Sequence, residues 1–196
     1  VISAVVSGVH YYDLSVIGGL SYNAGTTPLT SLYKDRRGFI WLGLTNGIAR
    51  FDPKNSVWKR YPLRINDKQQ PSVYTIAENA NEQLFIGTSV GLFIYNTSSD
   101  AFTLDPTFHK TLNGAAVSAM TINRGTGEVW LYAFPYGLCR FDKRGQLINR
   151  FESKQDSTGI SSEPVQTLFC DNRGIVWIGT LNGLNSWNST EGRFRR

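Results

Sequence analysis

The chain has 196 residues and a formal net charge of +5, a length that allows one domain or one and a fraction. Its 5 Trp, 9 Tyr, 11 Phe and 19 Gly residues favour turn-rich β structure over helices or disorder. No apolar stretch reaches the roughly 18 residues of a membrane-spanning helix, and with 2 His and 2 Cys we expect neither a metal site nor a cofactor.

The first 27 residues form an N-terminal segment with two notable features. The apolar run Val1–Val6 followed by small residues fits two interpretations: the end of a secretory signal with its cleavage zone, or an ordinary buried strand. Residues 11–14 are predicted to form a lone strand. A terminal strand of this kind can close the unpaired edge of a sheet elsewhere in the fold.

A short strand with an aromatic residue, followed by a glycine turn, recurs along the chain. The aromatic positions are spaced by 44, 45 and 47 residues and the glycine positions by 44, 46 and 46 residues, which indicates a repeat architecture. We expect the aromatic residues to lie in the core. The aromatic positions are Trp41, Phe85, Trp130 and Trp177, and the glycine positions are Gly47, Gly91, Gly137 and Gly183.

Each repeat has the pattern of four short strands separated by turns. Runs of β-branched and aromatic residues alternate with Asp, Asn, Pro and Gly, which favour turns. A four-stranded unit at this period predicts a β-propeller blade, and the fold is therefore predicted as all-β, with about four blades of a larger, seven-bladed ring. The predicted segments are 1–27 for the N-terminal segment, 28–70 for blade 1, 71–114 for blade 2, 115–162 for blade 3 and 163–196 for a truncated blade 4.

An open arc of four blades has consequences for association. Blades pack face to face, so we expect a bare apolar face at each end of the arc, larger than a monomer usually exposes. We therefore expect the fragment to self-associate. The alternative is closure into a four-bladed ring, with residues 11–14 completing blade 4.

No arrangement of residues predicts catalysis. His10 and His109 lie in different segments, no Ser-His-Asp order can be assigned, and no phosphate-binding glycine loop leads into a helix. Cys139 and Cys170 fall in different blades, so we expect buried thiols rather than a disulfide. We predict that the chain has no catalytic residues and is not an enzyme.

The predicted propeller has two faces. The first and third turns of the blades form one of them, the turn face. The second turns and the long inter-blade segments 62–72, 105–115 and 152–163, which we expect to be loops, form the other, the loop face. Basic residues on the turn face alternate with aspartates, which favours solvated turns or contacts to a neighbouring domain over nucleic-acid binding. These basic residues are Lys34, Arg36, Arg37, Lys54, Lys143, Arg144 and Arg173.

The second turn of blade 3 is one residue longer than the others and places Phe134 and Tyr136 on the loop face. Aromatic rings beside amides suit sugars, which present both C–H patches and hydroxyls. We predict that Phe134 and Tyr136, with the turn residues Asn46 and Asn182, bind a carbohydrate-type ligand. The alternative is that the two rings only cap a neighbouring blade.

The pattern Asp-x-x-Gly-x-(Ile/Val)-Trp-(Ile/Leu)-Gly-Thr-x-x-Gly-Leu stands almost complete from residue 171 and, with Leu44 and Ile48 as variants, from residue 35. It resembles the two-component regulator propeller repeat, and the resemblance extends over nearly the whole chain after residue 14. Blades 2 and 3 depart from it. Asn79 and Arg124 replace the turn aspartate, Glu82 the turn glycine and Tyr132 the strand glycine.

The resemblance implies a function. Such repeats build the periplasmic sensor region of inner-membrane hybrid two-component systems in Bacteroidetes-type bacteria, which detect oligosaccharides from polysaccharide breakdown and control a cytoplasmic histidine kinase by phosphorelay. The implied partners are an oligosaccharide, the remaining blades and downstream sensor domains. Two alternatives stay open: a non-enzymatic protein-interaction scaffold, and a propeller polysaccharide lyase or glycosidase.

Overall fold

The computed structural model describes residues 27–64, 70–154, 156 and 158–196. Within them the chain forms four antiparallel sheets of four strands each, and one short helix. The sheets follow one another along the chain as the blades of a β-propeller, which confirms the predicted fold class. The predictions for residues 1–26, including the closing strand at 11–14, lie outside the described residues.

The strands of each blade pair in sequence order. Blade 1 consists of β1 (Leu29–Lys34), β2 (Ile40–Leu44), β3 (Gly47–Asp52) and β4 (Val57–Tyr61). Blade 2 consists of β5 (Val73–Glu78), β6 (Leu84–Thr88), β7 (Gly91–Asn96) and β8 (Ala101–Leu104). Blade 3 consists of β9 (Ala116–Ile122), β10 (Val129–Phe134), β11 (Gly137–Phe141) and β12 (Leu147–Phe151). Blade 4 consists of β13 (Val165–Cys170), β14 (Val176–Thr180), β15 (Gly183–Asn188) and β16 (Arg193–Arg195).

The first strand of each blade lies against the first strand of the next, so β1, β5, β9 and β13 line a central channel. The connection between blades 2 and 3, which we expected to be a loop, contains helix α1 (Pro106–Leu112). Asp105 caps this helix by accepting hydrogen bonds from the backbone N–H groups of Thr107 and Phe108. Among the described residues, no helix is long and apolar enough to cross a membrane.

Apolar side chains between neighbouring blades form the core. Trp41 is fully buried between blades 1 and 2, Phe85 is buried between blades 2 and 3, and Trp130 is buried between blades 3 and 4. The prediction that the recurrent aromatic residues are core residues is therefore confirmed for blades 1 to 3. Trp177, at the same position of blade 4, is only partly buried.

The two ends of the arc differ. On blade 4, Phe169 and Leu184 are 62% and 55% exposed. On blade 1, a separate apolar cluster that includes Leu42, Leu44 and Phe51 is at most 8% exposed. The expectation of a bare face at each end is therefore wrong for blade 1, and blade 4 carries the exposed apolar face.

An aspartate and a tryptophan six residues apart explain the recurring turn motif. Asp35 accepts one hydrogen bond from the backbone N–H of Phe39 at 2.9 Å and another from Trp41 Nε1 at 2.8 Å. Asp171 accepts from Trp177 Nε1 at 3.2 Å in the same way. One carboxylate thus fixes the turn and satisfies a buried indole N–H, which would otherwise cost free energy.

In the first turn of blade 3 the predicted alignment of the repeat is wrong by one residue. Asn123, and not Arg124, occupies the aspartate position, because its backbone N–H bonds to Glu128 O at 2.9 Å and its carbonyl accepts from Gly127 N at 2.7 Å. This turn is one residue longer than the corresponding turn of blade 1, where Asp35 pairs with Phe39. The extra residue takes Arg124 out of the turn hydrogen bonds.

The glycine in the second strand of blades 1 and 2 lies where the next blade approaches closely. A Cβ on Gly87 would lie 2.7 Å from the carbonyl oxygen of Val117 in the next blade, and one on Gly43 would lie 2.8 Å from Val73 Cγ1. Blade 3 instead places Tyr132 there, buried in the cluster between blades 3 and 4 and paired with Ala119.

The substitution Glu82→Gly is expected to stabilise the fold. Glu82 adopts φ 60°, in the left-handed region where Gly38 and Gly174 stand in the equivalent turns of blades 1 and 4. Glycine has no Cβ and adopts this conformation without strain, so the free energy of unfolding should rise by about 0.5–1 kcal/mol. Urea unfolding measures the change, with Glu82→Gln as the control that removes only the charge. Equal stability of the glycine and glutamine variants would contradict the prediction.

Candidate functional site

A cavity of about 720 Å³ opens from the central channel at the turn face. Its size lies within the roughly 300–1,000 Å³ of small-ligand sites. The ends of β5, β9 and β13 and the turns that follow them form its wall, with Tyr33 contributed by β1. The cavity is therefore built by four blades. Its polar and charged lining residues are Tyr33, Thr75, Glu78, Thr121, Asn123, Arg124, Thr126, Thr167, Asp171, Asn172, Arg173 and Ser189.

A carboxylate, a phenol and a guanidinium from three blades meet in this wall. Tyr33 OH donates to Glu78 Oε2 at 3.5 Å and accepts from Arg124 Nη2 at 3.1 Å. Arg124 also donates from Nη2 to Glu78 Oε2 at 3.5 Å and from Nε to the Glu78 carbonyl at 3.4 Å. The side chain of Glu78 is 1% exposed and that of Arg124 is 46% exposed. The cation thus faces solvent while the anion lies behind it.

Burial shifts the titration of the two acidic groups in this cluster. Desolvation raises the pKa of the Glu78 carboxyl, and the backbone N–H of Arg36 and the charge of Arg124 offset this only in part. Desolvation and the nearby charge of Glu78 raise the pKa of Tyr33 to about 12. Tyr33 therefore keeps its proton and can donate a hydrogen bond to Glu78.

A second guanidinium stands on the blade 4 side of the cavity. Arg173 is 70% exposed and donates to Asp171 Oδ2 at 3.1 Å. Desolvation alone would raise the pKa of Asp171, but hydrogen bonds from the backbone of Ile175 and from Trp177 outweigh it and lower this pKa to about 2. Asp171 is therefore ionised and fully occupied by its own turn, while Arg173 extends into solvent.

The structure places the predicted ligand-binding residues on the loop face, away from this cavity. Phe134 ends β10 and is 72% exposed. Tyr136 is partly buried against the cluster between blades 2 and 3, and the guanidinium of Arg150 lies 5.2 Å from its ring centroid. Tyr136 therefore fits the alternative of a ring that caps a neighbouring blade, and Phe134 is the exposed member of the pair.

The two predicted asparagines lie on second turns of other blades. Asn46 Oδ1 accepts from Arg60 Nη2 at 2.7 Å beside a shallow pocket lined by Tyr61 and Gln70. Asn182 is exposed at the corresponding turn of blade 4. Within the described part of the chain, no hydrogen bond joins these residues to each other or to the aromatic pair. Whether any of the four binds a ligand stays a prediction.

Comparison with known proteins supports the repeat and the fold. Residues 159–182 match the two component regulator propeller family. No curated protein matches the sequence significantly. The extracellular domain of one hybrid two-component system from B. thetaiotaomicron superposes with a TM-score of 0.67 at 20% identity, covering 82% of this chain and 22% of that one. A second such domain from the same organism gives 0.66 at 17% identity, covering 89% and 25%.

Propellers with other activities share the fold. Virginiamycin B lyase from Staphylococcus aureus gives a TM-score of 0.63 at 11% identity, covering 90% of this chain and 56% of that one. The chain spans only about a quarter of the length of the extracellular domains that it matches. The four-stranded blades show that the chain is a β-propeller segment, and its residues 159–182 are similar to the two component regulator propeller repeat.

Proposed function

We propose that this chain is part of the periplasmic sensor region of a hybrid two-component system. It binds an oligosaccharide released from a polysaccharide, leaves it chemically unchanged, and relays binding to a cytoplasmic histidine kinase. The observation that carries the proposal is the two-component regulator propeller repeat on the fold of extracellular domains of hybrid two-component systems.

The chemistry of the channel cavity supports binding rather than turnover. Glu78 is buried behind Arg124, and Asp171 is held by its own turn, so neither carboxylate is placed to transfer a proton to a ligand. Cys170 lines the cavity, and desolvation raises its pKa to about 11, so its thiol is protonated and weakly nucleophilic at neutral pH. Cys139 lies outside the cavity, between blades 2 and 3, and desolvation raises its pKa to about 11 as well. The other polar side chains of the lining carry hydroxyls, amides and guanidiniums, which recognise polar ligands by hydrogen bonds.

Calorimetric titration of the complete sensor region with a panel of neutral and acidic oligosaccharides tests the proposal. We expect heat of binding with at least one of them, unchanged by a chelator, and no new products by chromatography after long incubation. Products would favour the lyase or glycosidase alternative. Absence of binding to every saccharide, together with capture of a protein partner, would favour the scaffold alternative.

The substitution Phe134→Ala tests the loop face in the same titration. If the ligand contacts the loop face, losing this exposed ring should weaken binding by about 1–2 kcal/mol, as for other lost aromatic contacts. Tyr136→Ala should act in the same direction. Arg37→Gln on the turn face is the control, and we expect it to leave the affinity unchanged. Unchanged affinity in both aromatic variants would exclude the loop face as the binding surface.

A further inference from the structure

We propose that the channel cavity holds an acidic oligosaccharide and that Arg124 binds its anionic group, a carboxylate or a sulfate ester. This inference rests on the proposed function in taking the ligand to be a saccharide. It goes further in assigning a site, a residue and the charge of the ligand.

Arg124 is held in place by two other blades. It belongs to the long first turn of blade 3, whose hydrogen bonds are completed by Asn123, so the arginine side chain is left to reach across the channel wall. There its Nε and Nη2 groups bond to Glu78 of blade 2 and Tyr33 of blade 1. A guanidinium fixed from two sides loses little further conformational entropy when a ligand binds.

The bonds that hold Arg124 leave part of its donor capacity unused. They involve Nε and Nη2, and within the described residues Nη1 makes no hydrogen bond. The contacts to Glu78 are 3.4–3.5 Å long, well beyond the roughly 2.7–2.9 Å of a strong charged pair. Glu78 therefore orients Arg124 but neutralises its charge only weakly. The anionic group of a ligand can neutralise this charge more strongly.

The rest of the cavity suits the sugar that would carry this anion. Arg173, paired with Asp171, lines the cavity from blade 4 as a second exposed cation. The hydroxyls of Thr121 and Thr126 and the amide of Asn172 line the same cavity and can pair with sugar hydroxyls. A guanidinium binds a carboxylate or sulfate through two parallel N–H groups, which a neutral sugar cannot match.

Calorimetry with matched trisaccharides tests the inference on the complete sensor region. The probes are trigalacturonate, a sulfated galactan trisaccharide, neutral galactotriose and sodium sulfate. We expect one of the acidic trisaccharides to bind about tenfold or more tightly than galactotriose, with affinity falling as salt rises. Arg124→Gln should reduce that affinity about tenfold or more. Arg144→Gln, an exposed turn-face arginine outside the cavity, is the matched control and should have no effect.

The outcomes separate this inference from the function on which it rests. Equal binding of galactotriose and the acidic probes, with no effect of Arg124→Gln, would overturn the inference and leave the proposed function standing. Binding of sodium sulfate as tightly as the trisaccharides would also overturn it. No binding of any saccharide would defeat both. If circular dichroism shows that the Arg124→Gln variant unfolds at a lower temperature than the wild type, the Arg124→Lys variant is titrated instead. Undiminished affinity of Arg124→Lys would exclude recognition by two N–H groups of the guanidinium.

Discussion

Replacing Asp100 by Ala is expected to lower the free energy of unfolding by about 2–3 kcal/mol. Asp100 lies in blade 2, and its carboxylate accepts hydrogen bonds from Arg50 at 3.3 Å, from Tyr61 at 2.8 Å and from Lys59, all in blade 1. It also accepts from Tyr95 of its own blade. Truncation removes the acceptor that these four donors share. The hydroxyls of Tyr61 and Tyr95 at the blade interface then lose their carboxylate partner.

The same carboxylate gives the effect a dependence on pH. Burial by itself would raise the pKa of Asp100, but hydrogen bonds from Lys59, Tyr95 and Tyr61 outweigh burial and lower this pKa to about 2. Because the folded pKa lies below the unfolded value of 3.8, the stabilisation is present above that value and is lost as the pH falls through about 2.

Urea unfolding of the wild type and Asp100→Asn between neutral and acid pH measures this effect. Asparagine tolerates the left-handed φ of 48° at this position, so the variant removes charge without adding backbone strain. The stability difference should shrink as the pH approaches 2. Glu152→Gln, which removes a charge from an exposed site, is the control. A difference that stays constant with pH would contradict the assigned role of the charge.

The chain by itself is expected to self-associate through the outward face of blade 4. Leu184 occupies the position at which blade 1 has Ile48, and Trp177 the position of Trp41; both blade 1 residues are fully buried against blade 2. On blade 4 the leucine is 55% exposed and the nearby Phe169 62% exposed. A second copy offers a matching apolar face, so the stacking of blades can continue between chains.

Light scattering during gel filtration tests the association at micromolar concentrations. We expect a dimer or larger species, and Leu184→Glu should shift it towards monomer because it places a charge on this apolar face. Leu147→Glu, an exposed leucine on the outer strand of blade 3, is the matched control. A stable wild-type monomer would refute the association and favour a closed four-bladed ring.

Much of the fold could be predicted from the sequence because its signals are local. Turns rich in Asp, Asn and Gly separate runs that form strands, and a fixed period identifies the blade without any knowledge of long-range contacts. Helix α1 was missed although its start carries a signal: Asp105 caps it and Pro106 stands at its first position. The prediction of a loop did not take Asp105 and Pro106 into account as a helix start.

The candidate site was harder to predict because it depends on packing between blades. Arg124 was aligned to the turn aspartate by counting six residues back from Trp130, whereas the structure places Asn123 there. Asn123, a residue that favours turns and lies seven residues before Trp130, was the available signal. Glu78 lies buried behind this arginine because β5 packs against β9. A local sequence pattern does not reveal such a contact between blades.

The second-strand glycines also limit how the repeats can be rearranged. A blade that carries Tyr132 at this position cannot take the place of blade 2, where a single Cβ on Gly87 would already collide with the Val117 carbonyl. Blade 3 keeps its tyrosine only because the blade that follows it leaves room. The four repeats are therefore not interchangeable units, and a gene duplication or shuffling event that reorders them would have to change the neighbouring first strand at the same time.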